Sequence, residues 1–235
     1  MRRSVSLTLM AAFAAIYGVL NLVPAFKILG GSGFISASRF VSPVVGLILG
    51  PIMGAASVAM GGVLGIMVNP ASATLGYFTF VPATACAFSS GMIRTGRSWI
   101  AASILGVLVV AFLAYPPNNV QPIFPFYVWI HLVAIFVLIS PIRKQAVELA
   151  RRQKVNEAFT GLALMIFPST MIEQLTGSMI FALLAGPAIS SIWMEIGMAV
   201  MMAFPIERAL ITVGASFIGA ALIRSLRSAD MDVTQ

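Results

Sequence analysis

Only one cysteine, Cys86, and one histidine, His131, occur in the 235 residues, so neither a disulfide framework nor a multi-ligand Cys/His metal site can be built. The redox compartment is left open. Charge is scarce as well: Asp, Glu, Lys and Arg make up 9% of the chain, against roughly 25% in a soluble globular domain. A surface so poor in charge would not be solvated by water. The usual catalytic signatures are also missing. There is no Gly-x-x-x-x-Gly-Lys-Ser/Thr loop, no His-Glu-x-x-His and no aspartate-rich motif, so the chain is expected to hydrolyse no nucleotide by itself. No enzyme activity, cofactor or metal is expected.

What the chain has instead is apolar sequence. Hydrophobic residues form 60% of it, in recurring runs of about 20 residues, long enough to cross a bilayer as helices. The runs are continuous, which argues against an outer-membrane barrel of alternating ten-residue segments. The formal net charge of +7 is not spread as a basic stripe interleaved with aromatics, so nucleic acid is not an expected partner. Lys and Arg sit in short clusters between the apolar runs, as the positive-inside rule asks of cytoplasmic loops.

Counting crossings between those clusters yields a topology. Arg2 and Arg3 precede an apolar run from Val5 to Val23, read as a first membrane helix rather than a signal peptide because it is long and more spans follow. The next basic pair, Arg94 and Arg97, should lie on the same side, so an even number of crossings must intervene. One span from Thr74 to Gly91 is clear, which requires residues 34–69 to form two short helices, about 35–50 and 54–69, with a break at Gly50-Pro51. Pro51 cannot donate a backbone hydrogen bond, which favours that break. Spans from Trp99 to Tyr115 and Phe126 to Ser140 follow, joined by an uncharged outer loop. A basic loop with Arg143, Lys144, Arg151, Arg152 and Lys154 comes next. Phe159 to Ala185 then goes out and a last segment ending near Ile223 returns. Residues 188–204 can be the outer part of that last helix or a separate interfacial helix before Pro205.

The expected fold is an all-α polytopic bundle of about eight spans in the cell membrane, with both termini cytoplasmic and a polar, disordered tail at 228–235. All but three of the 14 Lys and Arg then fall on the cytoplasmic side. The exceptions are Lys27, Arg39 and Arg208.

Two features could carry function. Ala11, Ala15 and Gly18 share a face of the first helix, with Ala14 beside them, so another helix could approach closely, either within the chain or from a partner. Gly46, Gly50 and Gly54, and Gly61 and Gly65, repeat the pattern and read as packing inside the chain. The second feature is buried charge, which is costly in a bilayer and hence a functional candidate. Glu173, beside Gln174, lies mid-span, and Arg208, beside Glu207, lies level with it if the last span is one helix. The simplest reading is a structural ion pair.

At the outer ends of the spans, Lys27 and Arg39 have no topological reason to be basic, which suggests a role. Gly30, Gly31 and Gly33 would let their loop act as a lid. Opposite lie Asn69, then Asn118, Asn119 and Gln121, then Tyr127, Trp129 and His131. Amides beside aromatic faces suit a flat, polar heterocycle, and Arg39 could meet a carboxylate or phosphate of the ligand.

The chain resembles the S components of energy-coupling factor transporters. The resemblance rests on Ala11-x-x-x-Ala15, on Leu47-Ile48-Leu49-Gly50-Pro51-Ile52-Met53-Gly54-Ala55-Ala56, which is similar to that family's Leu-Gly-Pro-x-x-Gly-Ala turn, on Gly91-Met92-Ile93-Arg94, and on Pro205-x-Glu207-Arg208. It implies a six-helix core, here residues 1–155, with 156–227 as an added transmembrane hairpin. It also implies capture of a vitamin-like molecule from outside and docking, through Ala11 and Ala15, on a T component driven by ATPase subunits on separate chains. A stand-alone permease or channel, and a membrane scaffold that moves nothing, are the other classes left open.

Overall fold

The computed structural model describes residues 3–27, 34–118 and 124–228, and among these the fold is all-α apart from one small hairpin. Helix α1 (Arg3–Leu20) leads into strands β1 (Pro24–Lys27) and β2 (Phe34–Ser36), which pair antiparallel. Helices α2 (Ser42–Leu49), α3 (Pro51–Val68), α4 (Val81–Arg94), α5 (Ser98–Ala114), α6 (Trp129–Ile139), α7 (Ile142–Arg151), α8 (Val155–Ala185) and α9 (Ile189–Ser228) follow.

By length and composition, α3 and the α8–α9 stretch can cross a membrane. Residues 126–151 qualify only as one pair bent by 73°. Ser4–Leu20, Ala37–Leu49 and Ser98–Ala114 are apolar but shorter.

The break expected near Pro51 is a single residue. Gly50 takes φ 82°, a left-handed conformation that glycine adopts without steric cost, and Pro51 then starts α3 where a missing N–H does no harm. Gly46 and Gly54 let α2 and α3 lie against each other: a Cβ on Gly54 would come 2.7 Å from the Gly46 Cα. Helices α1 and α3 run parallel, since Ser57 Oγ donates to the Met10 carbonyl at 2.8 Å, Gly61 abuts Ala14, and Gly65 abuts Asn21. A Cβ on Gly61 would overlap the Ala14 carbonyl oxygen.

The last two helices form an antiparallel hairpin turned at Gly186, φ 57°. Thr170 meets Thr212 at 3.4 Å, Phe159 packs on Phe217 with ring centroids 4.7 Å apart, and Phe181 meets Trp193 near the turn. At about 1.5 Å per residue, the 31 residues of α8 and 40 of α9 span about 46 and 60 Å.

Of the two alternatives for residues 188–204, the long last helix is the one found, because α9 is continuous from Ile189 through Pro205. Other expectations change. The helix expected from Thr74 starts at Val81, because 3-10 turns at Pro70–Ser72 and Gly76–Phe78 hold the chain before it. The basic loop is helix α7: Ala146 and Ala150 face α8, where Gly161 admits their backbone, and the cations take the other side of an amphipathic helix. The segment 156–227 packs against 1–155. Helix α8 packs on α4, α5, α6, α7 and α9, and Met165, Ile166, Met171, Ile172 and Leu175 on it are among the most buried side chains. Asn119, Gln121, the glycines at 30, 31 and 33, and the tail after Ser228 lie outside the described residues.

The helix ends sort by charge. Arg94 and Arg151 line one small pocket together with Leu47 and Ile223. Arg143 donates to Ser98 Oγ and Arg227 to the Ala150 carbonyl, both at 3.4 Å. Gly91 rests on Pro51, so the Gly50 turn lies at this end, and so does the start of α1, which runs parallel to α3. The β-hairpin and the Gly186 turn lie at the other end.

Candidate functional site

Chain composition constrains how the three cations outside the basic clusters can be neutralised. No Asp or Glu precedes Glu148, so a buried cation in the first half must find its counter-ion far along the sequence. Arg39, in the 3-10 turn after β2, finds it in Glu173, 134 residues on: Nη1 of Arg39 donates to Oε1 of Glu173. The side chains are 14% and 2% exposed. Arg208 approaches the same carboxylate from α9, with Nη1 3.9 Å from Oε2. That is ion-pair range but too long for a hydrogen bond. Its Nη2 donates to Oε1 of Glu207.

The expected Glu173–Arg208 pair is therefore present only as the longer contact, and the hydrogen bond goes to Arg39. The residue expected at an outer rim lies part-buried in a four-membered cluster, because a guanidinium entering the bundle needs a carboxylate and α8 supplies one. Glu173 Oε2 and the Nε and Nη1 of Arg208 are buried with no hydrogen-bond partner.

Sharing Glu207 with this cluster is a cavity of about 540 Å³, within the range of small-molecule sites. Its walls come from the hairpin (Ala25, Phe26, Lys27, Ile35), from Gln174 on α8, and from α9 (Val200 to Leu210, including Phe204 and Glu207). The polar groups on the wall are Lys27, Gln174 and Glu207, and the rest of the lining is apolar. Gln174 Nε2 donates to the Tyr127 hydroxyl at 2.9 Å, and that hydroxyl shares a 2.8 Å hydrogen bond with Ser178. Tyr127 in turn packs on Phe204 and His131, with centroids 4.9 and 6.0 Å away. The wall is thus backed by a buried aromatic layer whose one phenol is satisfied.

The hairpin that forms one wall is tied down by side-chain hydrogen bonds. Ser36 Oγ donates to Asn21 Oδ1 at 2.9 Å and lies 2.6 Å from Ser38 Oγ, and Arg39 follows three residues after Ser36.

Among the residues expected to bind substrate, Lys27 lines this cavity, Arg39 does not line it, and Tyr127 is hydrogen-bonded to the wall residue Gln174. Three others do not belong to it. Asn69 accepts the Ala71 N–H at 3.2 Å and caps a turn. Asn118 is a buried clamp, donating to the Phe112 carbonyl at 2.9 Å and accepting from Trp193 Nε1 at 3.0 Å. Trp129 is half exposed on the outside of α6. Gln174, Phe204 and Glu207 were not expected there; Glu207 and Gln174 stood next to the two residues singled out for buried charge. Among the described residues, no group of three or more His, Cys, Asp or Glu could hold a metal ion.

On α1, Ala11 and Ala15 are exposed together with Leu7 and Ile16. Ala14 is buried against α3, and Gly18 is turned partly toward Gly61. The small residues therefore divide between two faces.

No family model matches the chain, and no solved structure does. Uncharacterized protein MJ0923 of Methanocaldococcus jannaschii is 27% identical to it over 155 residues, 66% of this chain and 51% of that protein. The chain spans about half the length of that relative.

Proposed function

We propose that the chain is a multi-spanning membrane protein of the cell membrane that captures a small molecule in the cavity between the hairpin and α9, as the substrate-binding subunit of an importer of the energy-coupling factor type. The observation that carries this reading is the cavity itself, apolar-walled with Lys27, Gln174 and Glu207 converging on it. It sits at the end of the bundle away from Arg94, Arg143, Arg151 and Arg227. Gathering of those cations at one end supports the eight-span topology with both termini cytoplasmic, and the cavity then opens outward. The exposed Ala11 and Ala15 leave a flat strip where a partner helix could approach closely.

The test is whether the purified full chain is stabilised by any member of a vitamin panel in a thermal-shift assay, and whether it co-purifies with a co-expressed T component and its ATPases. Stabilisation that is lost in Ala203→Phe, where the new ring fills the cavity, together with co-purification that is lost in Ala15→Leu, is the expected result. The buried Arg39–Glu173–Arg208 cluster favours a second reading, a permease driven by an ion gradient, because ionisable groups inside spans often line such paths. Uptake by the chain reconstituted alone in liposomes would establish that reading and reject the importer subunit.

A further inference from the structure

The cavity wall carries one charge of each sign, and neither answers the other. Lys27 comes from β1 and Glu207 from α9, so they belong to different walls. Among the described residues no ion pair joins them, and the exposed Lys27 makes none at all. Glu207 is engaged through one oxygen only. Its Oε1 accepts from Arg208, which does not line the cavity, while no hydrogen bond reaches its Oε2 and its side chain stays 17% exposed.

Gln174 supplies a second acceptor. Its Nε2 donates to the Tyr127 hydroxyl at 2.9 Å and to Ser178 Oγ at 3.4 Å, and among the described residues no donor reaches its Oε1. The helical walls therefore offer two open acceptor oxygens, on Gln174 and Glu207, and the hairpin wall offers one ammonium. The rest of the lining, Phe26 and Phe204 included, is apolar.

A ligand that fills such a space takes water from both charges, and an unpaired charge out of water is costly. An uncharged ligand compensates neither. A monoanion answers Lys27 and is repelled by Glu207, and a monocation does the reverse. We propose that the cavity takes a small zwitterion of the amino-acid type, its ammonium toward Glu207 and Gln174, its carboxylate toward Lys27, and an apolar or aromatic side chain against Phe26 and Phe204. Both charged ends then make charge-assisted hydrogen bonds, which are stronger than neutral ones. The flexible four-carbon stem of Lys27 lets its ammonium reach a carboxylate that sits beside the ligand's own ammonium. The proposal rests on the reading of the cavity as the substrate site and adds the charge of what enters it.

The experiment uses the full chain in detergent and four probes sharing a phenyl body: phenylalanine, 3-phenylpropanoate, 2-phenylethylamine and 3-phenylpropanamide, with binding measured by calorimetry. Phenylalanine is expected to bind at least about tenfold more tightly than each of the other three. Lys27→Gln should weaken phenylalanine and 3-phenylpropanoate and leave 2-phenylethylamine unchanged, without disturbing the fold, since Lys27 is exposed. Glu207→Gln should weaken phenylalanine and 2-phenylethylamine and spare 3-phenylpropanoate. Because that variant also unpairs Arg208, Lys27→Gln decides alone where Glu207→Gln does not fold. Tightest binding of a singly charged or uncharged probe, or a preference for phenylalanine that survives Lys27→Gln, overturns the zwitterion while leaving the cavity as the site, provided Ala203→Phe still abolishes binding. Phenylalanine binding untouched by Ala203→Phe means that the cavity reading itself fails. Binding of none of the four overturns the proposal.

Discussion

Where α1, α2, α3 and α4 meet, helices touch through backbone: Gly61 against the Ala14 carbonyl, Gly46 against the Ala87 carbonyl, Gly91 against Pro51. Where α8 and α9 meet each other and the turn at residue 39, they touch through charge: Arg39, Glu173, Arg208 and Glu207. The first kind of contact is what a bilayer favours, because small residues let helices approach and gain dispersion energy with nothing to desolvate. The second is what a bilayer resists, and buried ion pairs are poor sources of net stability. The contrast assigns stability to the glycine-packed region and function to the charged one.

That assignment can be broken most sharply at Glu173. Glu173→Gln strands Arg39 and lengthens the imbalance at Arg208, and is expected to cost about 3–5 kcal/mol in a thermal or denaturant melt. The double variant Arg39→Met/Glu173→Met removes both charges and should regain most of that loss while giving up ligand binding. If the double variant is as unstable as the single one, the cluster is structural and the contrast fails.

On the other side, Gly46→Ala should cost about 3 kcal/mol, near the upper end for overpacking, because its Cβ would overlap the Ala87 carbonyl. Normal expression and melting of this variant would mean that α2 and α4 are not so closely packed. Asn118→Ala removes a partner from both the Phe112 carbonyl and Trp193 Nε1 and is expected to cost about 2 kcal/mol, with ligand affinity unchanged. A loss of affinity greater than the loss of stability would return Asn118 to the site. The smallest effect belongs to Gly106, whose Cβ would meet nothing within 4 Å. Gly106→Ala in α5 should stabilise the protein by about 0.5–1 kcal/mol, and a destabilisation there would show that the Gly106 face of α5 has a neighbour.

Local chemistry made some of this readable in advance. The break at Gly50-Pro51 follows from two residues with unusual backbones, and of the glycines read as packing within the chain those at 46, 54, 61 and 65 do so, whereas Gly50 serves the turn and meets nothing within 4 Å. The buried carboxylate at 173 stood out because charge is rare in an apolar run. Its partner did not, since equal distances from helix ends suggested Arg208, whereas the tertiary fold brings Arg39 closer across 134 residues. The helix at 142–151 was hidden by its own cations, which look like loop sequence until its two buried alanines are placed against Gly161. Asn118 looked like a binding amide because nothing local shows that Trp193 lies beside it. The cavity could not be read at all, since its hairpin wall lies more than a hundred residues before the α8 and α9 residues that complete it.

The central claim is that the cavity and the basic clusters lie on opposite sides of a membrane. In a Cys86→Ser background, single cysteines at Lys27, on the cavity wall, and at Arg97, beside the Arg94 end, can be probed in intact cells with a membrane-impermeant thiol reagent. The account predicts labelling of the first from outside and protection of the second until the membrane is opened. Labelling of both from outside, or of Arg97 alone, would contradict it.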